Sequence, residues 1–303
     1  MKYLVIGAGG TGGPLAAFLK NSGADVSVIA RGKHLEAIKE NGLTINKSDG
    51  SVLNVKIPAC TQDEYNEKAD IIFVTVKSYS VDSIIDFIKD ASHENTVVIP
   101  LLNIFTTGEY MQKKLPELLV TDGCIYIASS ITDYGVVTMN GEIFRVIFGE
   151  REECSKKAVL DSVAEDLCRC GIMGLTSGNI RKSALEKYSY VSAMAACGLY
   201  YDCKADLMQK EGKERETFSK LISEIVVLSE GMGITFDEDM VERNLRILDN
   251  LAPDASTSMQ RDIEKGKPSE IDGLIHSVAR VSKEKNLGLA TYEMISECKK
   301  EIQ

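Results

Sequence analysis

Residues 3–13 read YLVIGAGGTGG, an apolar run that passes directly into a cluster of glycines. The run YLVI has the length of a strand, and Leu15, Phe18 and Leu19 recur at helical spacing after the glycines. Gly23 supplies a helix stop, and a second apolar run, DVSVIA, occupies residues 25–30. This stretch predicts a strand, a helix and a parallel strand in succession.

The same alternation continues through the first half of the chain. Apolar, β-branched-rich runs recur at IIFVTV (71–76) and TVVIPLL (96–102), as is typical of strands covered on both faces. We expect GCIYIASSI (123–131) and EIFRVIFG (142–149) to form a hairpin that closes the sheet edge, with its turn at Asn140 and Gly141. The first half therefore predicts an α/β fold with a doubly wound parallel sheet.

The second half changes to a helical period from about Ser155. One apolar stripe ends at Gly171, and residues 175–179, LTSGN, are the predicted linker. The segments that follow are predicted helices, at 180–201, 211–232, 237–251, 270–285 and 291–302. We therefore expect two domains, at 1–176 and 177–303, of which the C-terminal one is all-helical.

Composition and charge limit the classes of partner. A formal net charge of -10 argues against a nucleic-acid or anionic-membrane partner, because such surfaces would be repelled. The N-terminal residues resemble neither a signal peptide nor a membrane span, and the cysteines form no CxxC pair, so a cytoplasmic protein with reduced thiols is expected. Any bound anion must be held by local cations and amides.

The glycine cluster fits the pattern G-x-G-x-x-G in Gly7-Ala8-Gly9-Gly10-Thr11-Gly12. In this pattern Gly7 permits a tight turn, Gly9 lets the backbone approach a pyrophosphate, and Gly12 lets the helix pack closely on the strand. Amides at the helix start then provide an anion site. A purely structural turn is the alternative, but the strand-turn-helix context favours a dinucleotide site.

The second strand indicates which dinucleotide binds. An acid at its tip would accept hydrogen bonds from a ribose 2′-hydroxyl, whereas this strand ends at Arg31, with Lys33 and His34 just beyond. A guanidinium can bind a 2′-phosphate through two hydrogen bonds. The pattern favours NADP(H) over NAD(H); the alternative is that Arg31 is a solvated loop cation.

The sequence resembles the ketopantoate reductase (2-dehydropantoate 2-reductase) family over nearly the whole chain. The resemblance rests on GAGGTGG, VIARGKHLEAI, VTVKSYSVDSI, the later Asn103 and SMQRDIEKGKPSEIDGL. It implies an N-terminal Rossmann-type domain, a helical C-terminal domain and NADPH as cofactor. It also implies reduction of the ketone of a branched 2-oxo acid in a cleft between the domains, with no metal.

The resemblance also assigns roles to individual residues. It makes Lys187 the general acid and Glu270 the carboxylate that orients the substrate. Ser258 would hold the substrate carboxylate, Asn103 would contact the cofactor ribose and the substrate oxygen, and Lys77 would face the same cleft. From the residues alone, Lys187 could instead be an exposed helix residue, and Lys77 a solvated strand terminus.

Glu270 also has a structural interpretation. The stretch PSEID reads as a helix start, with Ser269 as N-cap and Asp272 placed for a capping box. An acid in the first turn is then favoured by the helix dipole. Both roles can hold at once, because a cap also fixes the direction of the carboxylate.

The sequence departs from the family pattern at several positions, and four of them bear on the substrate site. Leu102 and Ile104 replace a glutamine and a glycine around the asparagine, and Val191 and Ala195 replace two asparagines on the helix of Lys187. Val191 and Ala195 share the helix face of Lys187 by four-residue spacing, so we expect a more apolar substrate wall there.

The leading function is reduction of a 2-oxo acid, with ketopantoate to pantoate, as in pantothenate biosynthesis, as the first candidate. The alternatives are a more apolar 2-oxo acid, a catalytically silent NADP(H)-binding sensor, and a hydroxy-acid dehydrogenase running oxidatively. An apolar surface on the helical domain would suit a homodimer.

Overall fold

The computed structural model describes residues 1–152 and 156–299. Two compact units make up the chain, the first covering Met1–Ile180 and the second beginning at Arg181. The sequence placed this division slightly earlier, after residue 176. Ser155, where the helical period was expected to begin, and Ile302, the expected end of the last helix, lie outside the described residues.

The strands all belong to the first unit. In chain order they are β1 (Lys2–Ile6), β2 (Asp25–Ile29), β3 (Leu43–Asn46), β4 (Val52–Val55), β5 (Ala59–Cys60), β6 (Ala69–Val74), β7 (Ser92–Pro100), β8 (Leu119–Val120), β9 (Asp122–Asp133), β10 (Val136–Gly149) and β11 (Met173–Thr176). The helices of this unit are α1 (Gly12–Asn21), α2 (Gly32–Asn41), α3 (Ile85–Asp90), α4 (Thr107–Lys114) and α5 (Lys157–Arg169), with short 3-10 turns at Ser78–Ser80 and Asp82–Ile84.

A six-stranded sheet in the order β5-β2-β1-β6-β7-β8 forms the centre of the first unit. Every neighbouring pair in it is parallel. The chain starts in the middle of the sheet, builds outwards to one edge, and then returns to build towards the other edge. This is the doubly wound Rossmann-type arrangement, and the predicted fold class is confirmed.

Both faces of this sheet are buried, since alternate side chains of one strand enter two different cores. Tyr3 and Val5 of β1 pack in one core with residues of α1 and α5. Leu4 and Ile6 pack in the other, with residues of α3 and α4. This two-sided burial is the reason that the strands read as continuous apolar runs.

A second sheet corrects the predicted hairpin. It has the order β11-β10-β3-β4, with β9 paired to β10, so the hairpin does not close the edge of the parallel sheet. The turn lies at Tyr134 and Gly135, where Gly135 has φ +74°, a conformation that glycine adopts without strain. The predicted turn at Asn140 and Gly141 is wrong, since both residues lie within β10, where the register with β9 shifts.

The regular secondary structure of the second unit consists of helices in its described residues. Its helices are α6 (Ile180–Tyr201, which begins at the last residue of the first unit), α7 (Ala205–Met208), α8 (Lys213–Glu230), α9 (Met240–Asp249), α10 (Ser258–Glu264), α11 (Ser277–Lys285) and α12 (Ala290–Cys298). A π-helical turn, Asp272–His276, leads directly into α11. The predicted linker is partly wrong, because Leu175 and Thr176 belong to β11, which pairs in parallel with β10.

Candidate active site

The glycine turn connects β1 to α1. Gly7 has φ +103°, and its N–H donates to the carbonyl of Ile29 on the neighbouring strand at 3.0 Å. A Cβ on Gly12 would lie 2.1 Å from the carbonyl oxygen of Gly7, so that only glycine permits this approach of helix to strand. A Cβ on Gly9 would meet no heavy atom within 4 Å. The backbone at Gly9 is therefore open to a ligand.

The start of α1 has the properties of an anion site. The first amides of a helix have no partner within the helix, and their dipoles favour negative charge. The N-cap residue Thr11 makes no side-chain cap hydrogen bond, and the first turn carries no acidic residue. A phosphate is therefore neither displaced by a cap nor repelled by a carboxylate here.

Arg31 lies just beyond β2, as the N-cap residue of α2 with an extended backbone. Its side chain is exposed, and the guanidinium forms no hydrogen bond or ion pair with any residue that the structure describes. Lys33 lies in the first turn of the same helix, 5.8 Å from the ring centroid of Tyr134, and this turn also lacks an acid. An anion that binds at Arg31 and Lys33 therefore does not have to displace an ion-pair partner of Arg31.

Lys77 and Asn103 follow two further strands of the parallel sheet. Lys77 comes shortly after β6 and Asn103 shortly after β7, and both are half-buried. Because the carboxyl ends of parallel strands meet at one edge of a sheet, these two residues lie along the same edge as the glycine turn and Arg31. The first unit thus brings together all of its predicted cofactor residues.

Lys187 and Glu270 lie in neighbouring parts of the second unit. Lys187 is half-buried on α6, and the preceding residue, Glu186, pairs with Arg243 at 3.2 Å. Glu270 has only 4% of its surface exposed and precedes the helical segment that contains the π-helical turn. The interpretation of Lys187 as a fully exposed helix residue is therefore wrong.

Two side chains of α6 join it to the π-helical turn. The hydroxyl of Tyr188 donates to the carbonyl of Gly273 at 2.7 Å, and Ser192 donates to the carbonyl of Leu274 at 2.6 Å. Burial raises the pKa of Tyr188, so that its hydroxyl remains a protonated donor. Single π-helical turns recur at functional sites. No local sequence pattern indicates this π-helical turn, whose carbonyls hold the element after Glu270 against the helix of Lys187.

Ser258 is the first residue of α10. The preceding residue, Thr257, is the N-cap and forms a capping box with Gln260. The side-chain amide of Gln260 also donates to the carbonyl of Cys203 at 2.8 Å. The hydroxyl of Ser258 makes no hydrogen bond with any described residue, so it is available to an acceptor such as a carboxylate.

The capping box predicted at Ser269 and Asp272 is wrong, because the Asp272 carboxylate bonds elsewhere and the π-helical turn has no side-chain cap. Both carboxylate oxygens of Asp272 accept from Arg280, at 2.7 and 2.8 Å. The guanidinium holds the pKa of this carboxyl below its usual range. A charged partner two turns along the helix satisfies the carboxylate in place of the backbone amide that a capping box would use.

The four departures from the family pattern differ in how far their side chains are buried. Leu102 is 7% exposed and packs in the core beneath the sheet, and Ile104 is 8% exposed. Ala195 is fully buried, and only Val191 of the four is half-buried. The side chain of Leu102 contributes to the hydrophobic core, and Val191 is the more accessible of the two departures on the helix of Lys187.

The described residues contain neither a metal-ligand cluster nor a membrane-spanning helix. No group of three or more His, Cys, Asp or Glu side chains among them could hold a metal ion. None of the helices in the same part of the chain has the length and apolar character needed to cross a membrane.

The glycine turn on a Rossmann-type sheet, followed by a helical unit, defines a dinucleotide-dependent oxidoreductase as the class of protein. A family model described as "Ketopantoate reductase PanE/ApbA" matches residues 3–153, and its C-terminal counterpart matches residues 179–303. The chain belongs to the ketopantoate reductase family. It is an oxidoreductase acting on CH–OH groups with a nicotinamide dinucleotide cofactor.

Curated relatives align over nearly the full chain. "Uncharacterized oxidoreductase YkpB" of Bacillus subtilis is 28% identical over 290 residues, covering 96% of this chain and 94% of that protein. The 2-dehydropantoate 2-reductase of Pyrococcus horikoshii is 29% identical over 300 residues, with 95% and 92% covered. That of Mesorhizobium japonicum is 26% identical over 312 residues, with 93% and 92% covered.

Solved structures share the fold at low identity. The 2-dehydropantoate 2-reductase of Geobacter metallireducens superposes with a TM-score of 0.91 at 20% identity, covering 99% of both chains. A D-mandelate dehydrogenase, solved with NADH and anilino(oxo)acetate, gives a TM-score of 0.88 at 22% identity, with 98% of this chain and 96% of that one covered. These likenesses show a common fold.

Proposed function

We propose that this protein reduces the ketone of a 2-oxo acid to the 2-hydroxy acid with NADPH, and that ketopantoate is its leading substrate. The observation that carries the cofactor choice is the exposed Arg31, without a partner among the described residues, at the strand tip beside the glycine turn. A free guanidinium can take a 2′-phosphate through two charge-assisted hydrogen bonds. An acid at this position would favour NAD(H) instead.

The cofactor residues fit a dinucleotide. The open backbone at Gly9 and the uncapped start of α1 suit a pyrophosphate, and Arg31 suits the adenosine phosphate. Lys77 and Asn103, along the same sheet edge, would contact the nicotinamide half. When bound, the cofactor supplies a hydride to the carbonyl carbon of the substrate.

The second unit would supply the proton and orient the substrate. In the proposal the Lys187 ammonium donates its proton to the carbonyl oxygen, which becomes the hydroxyl of the product. The nearly buried Glu270 accepts hydrogen bonds from the substrate and from the ammonium, and Ser258 donates to the substrate carboxylate. The lysine regains its proton from solvent, so that the reaction consumes one hydride and one proton per ketone.

The branched, apolar part of the substrate would meet α6. Val191 is four residues after Lys187, on the same helix face, and it is half-buried. Where relatives of the pantothenate type have an asparagine, this chain offers an apolar side chain. A 2-oxo acid more apolar than ketopantoate is therefore the second candidate.

The test is oxidation of NADPH, followed by its loss of absorbance at about 340 nm, against a panel of 2-oxo acids. The panel contains ketopantoate, its analogues without the hydroxyl, and phenyl-substituted acids. We expect turnover with at least one branched acid, and a lower KM for NADPH than for NADH.

Two results would contradict the proposal. Tight NADPH binding without turnover of any acid would favour the catalytically silent sensor. Turnover that runs equally well with NADH would mean that Arg31 does not select the cofactor. A preference for the analogues over ketopantoate would keep the reaction and change the substrate.

A further inference from the structure

The carbonyl groups of the glycine turn are each held by a hydrogen bond. Gly7 O accepts at 2.8 Å from the Thr75 hydroxyl, which it shares with Ile6 O at 3.0 Å. Gly10 O accepts from the Ser129 hydroxyl at 2.6 Å. Ala8 O lies 2.8 Å from Nε2 of His34. Gly9 O accepts from the N–H of Gly13 at 2.8 Å, within the first turn of the helix. Four consecutive carbonyls therefore have fixed directions.

The tautomer of His34 follows from its second contact. The backbone N–H of Gly135 donates to Nδ1 of His34 at 3.0 Å. An amide N–H can only donate, so Nδ1 carries no proton and Nε2 of the neutral imidazole donates to Ala8 O. His34 thus connects the glycine turn to the tip of the β9–β10 hairpin.

The hairpin tip is itself held in place. The carbonyl of Gly135 accepts from the N–H of Thr44 on β3 at 2.9 Å. A Cβ on Gly135 would lie 3.2 Å from the Cβ of Ala37 on α2, so the tip packs closely on that helix. His34 and Ser129 therefore connect the glycine turn to the β9–β10 hairpin, whose tip is itself held by contacts with β3 and α2.

Fixed carbonyls determine where the amides point. In a trans peptide the C=O of one residue and the N–H of the next point in opposite directions. Holding the carbonyls of Gly7, Ala8 and Gly10 against the protein therefore turns the N–H groups of the following residues away from it. These N–H groups belong to the turn that the proposed function assigns to the pyrophosphate.

We propose that Thr75, His34 and Ser129 form a carbonyl clamp that aims the amides of Ala8, Gly9 and Thr11 at the cofactor pyrophosphate. They act as positioning residues through the backbone of the turn. The inference rests on the proposed dinucleotide site. It predicts that the clamp supports NADPH and NADH alike, because both carry the same pyrophosphate, whereas Arg31 supports NADPH alone.

The test compares substitutions that remove or retain the hydrogen bonds. His34→Leu and Ser129→Ala each remove the bond to the turn. His34→Gln retains one donor and one acceptor on a planar amide, and Ser129→Thr retains the hydroxyl. Ser130→Ala is the matched control, because the neighbouring Ser130 hydroxyl bonds to no described residue. Dissociation constants for NADPH and NADH are measured by calorimetry, with thermal unfolding in parallel.

We expect His34→Leu and Ser129→Ala each to weaken the binding of NADPH and of NADH by about 5- to 10-fold, the effect of one hydrogen bond. The ratio of NADPH to NADH affinity should stay unchanged. His34→Gln, Ser129→Thr and Ser130→Ala should bind within about twofold of the wild type. Calorimetry needs no turnover, so the proposed reaction can fail while the clamp is supported.

Three outcomes would overturn the clamp. The first is unchanged dinucleotide affinity in folded His34→Leu and Ser129→Ala proteins. The second is a loss confined to NADPH, which would place both residues with Arg31 instead. The third is failure of His34→Gln and Ser129→Thr to restore affinity despite unfolding temperatures equal to that of the wild type.

Discussion

The hydroxyl of Tyr188 donates a 2.7 Å hydrogen bond to the carbonyl of Gly273, and this bond joins the helix of Lys187 to the π-helical turn after Glu270. Tyr188 is 1% exposed, so the bond is shielded from water. The same carbonyl also accepts from the Ser277 hydroxyl at 2.8 Å, so it keeps one donor when the Tyr188 hydroxyl is removed. Together with the bond from Ser192 to Leu274, this contact holds the element that follows Glu270 against α6.

Replacing Tyr188 with phenylalanine should lower the free energy of unfolding by about 0.5–1.5 kcal/mol, the net contribution of one hydrogen bond. Tyr190→Phe is the matched control, because the buried Tyr190 hydroxyl has no hydrogen-bond partner among the described residues. Burial raises the pKa of Tyr190 to about 12, and its removal should be neutral or slightly stabilising. Urea unfolding measures the free energy of unfolding of the two variants. Equal losses in the two variants would mean that the bond to Gly273 contributes nothing.

Lys187→Met removes the ammonium and retains most of the aliphatic stem. If Lys187 donates the proton, kcat should fall about 10²- to 10⁴-fold while the dissociation constant of NADPH changes little. Lys182→Met, on the same helix, removes a cation that pairs with Asp237 at 2.5 Å and should leave kcat nearly unchanged. Steady-state kinetics with the best 2-oxo acid decides the matter, and a fully active Lys187→Met protein would refute the assignment.

Two glycines of the turn should respond differently to alanine. Gly12→Ala places a Cβ 2.1 Å from the carbonyl oxygen of Gly7 and should cost about 1–3 kcal/mol or more of stability. Gly9→Ala meets no protein atom within 4 Å and should change stability by less than about 0.5 kcal/mol. Its methyl would nevertheless obstruct a pyrophosphate. Thermal unfolding and NADPH titration should therefore separate a packing glycine from a ligand-facing one.

Arg31→Ala should weaken NADPH far more than NADH, since only NADPH carries the 2′-phosphate. A charge-assisted, two-pronged contact accounts for a loss of about 10- to 100-fold. Lys39→Ala, on the same helix, removes a cation that pairs with Glu64 at 2.9 Å and tests the general effect of charge. A comparable loss of affinity for NADPH and NADH in Arg31→Ala would mean that Arg31 supports the conformation of the loop and does not bind the 2′-phosphate.

Asp272→Asn tests the ion pair that replaces the expected capping box. Because Arg280 lowers the pKa of Asp272, the pair stabilises the folded state above the ordinary pKa of an aspartate, and this is lost as the pH falls. The two side chains are 55% and 69% exposed, which limits the effect at neutral pH to about 1 kcal/mol or less. Unfolding curves for variant and wild type should converge below about pH 4. A constant difference at all pH values would exclude this pair as the cause.

The parallel sheet could be predicted because its physical cause is local. A strand covered on both faces needs apolar residues at every position, and β1 and β6 show this without reference to the rest of the chain. The glycine turn and the position of Arg31 at a strand tip follow from the same local patterns. Each of these features is encoded by neighbouring residues.

The hairpin turn could not be placed from the sequence because distant contacts determine it. Asn140 and Gly141 form the strongest short-range turn signal in this region. The chain turns instead at Gly135, which bonds to His34 and packs against Ala37. Leu102 shows the same limit. Beyond the end of a strand, the alternation of side chains between the two faces no longer indicates whether a side chain packs in the core or contacts a ligand.

Two contacts that tie the glycine turn to the β9–β10 hairpin join distant parts of the chain. Ser129 is 119 residues from Gly10, and Gly135 is 101 residues from His34. A chain emerging from the ribosome therefore displays the glycine motif long before the hairpin that holds it exists. Contacts of such large sequence separation close slowly. The glycine turn should thus reach its final arrangement among the last events in the folding of the first unit.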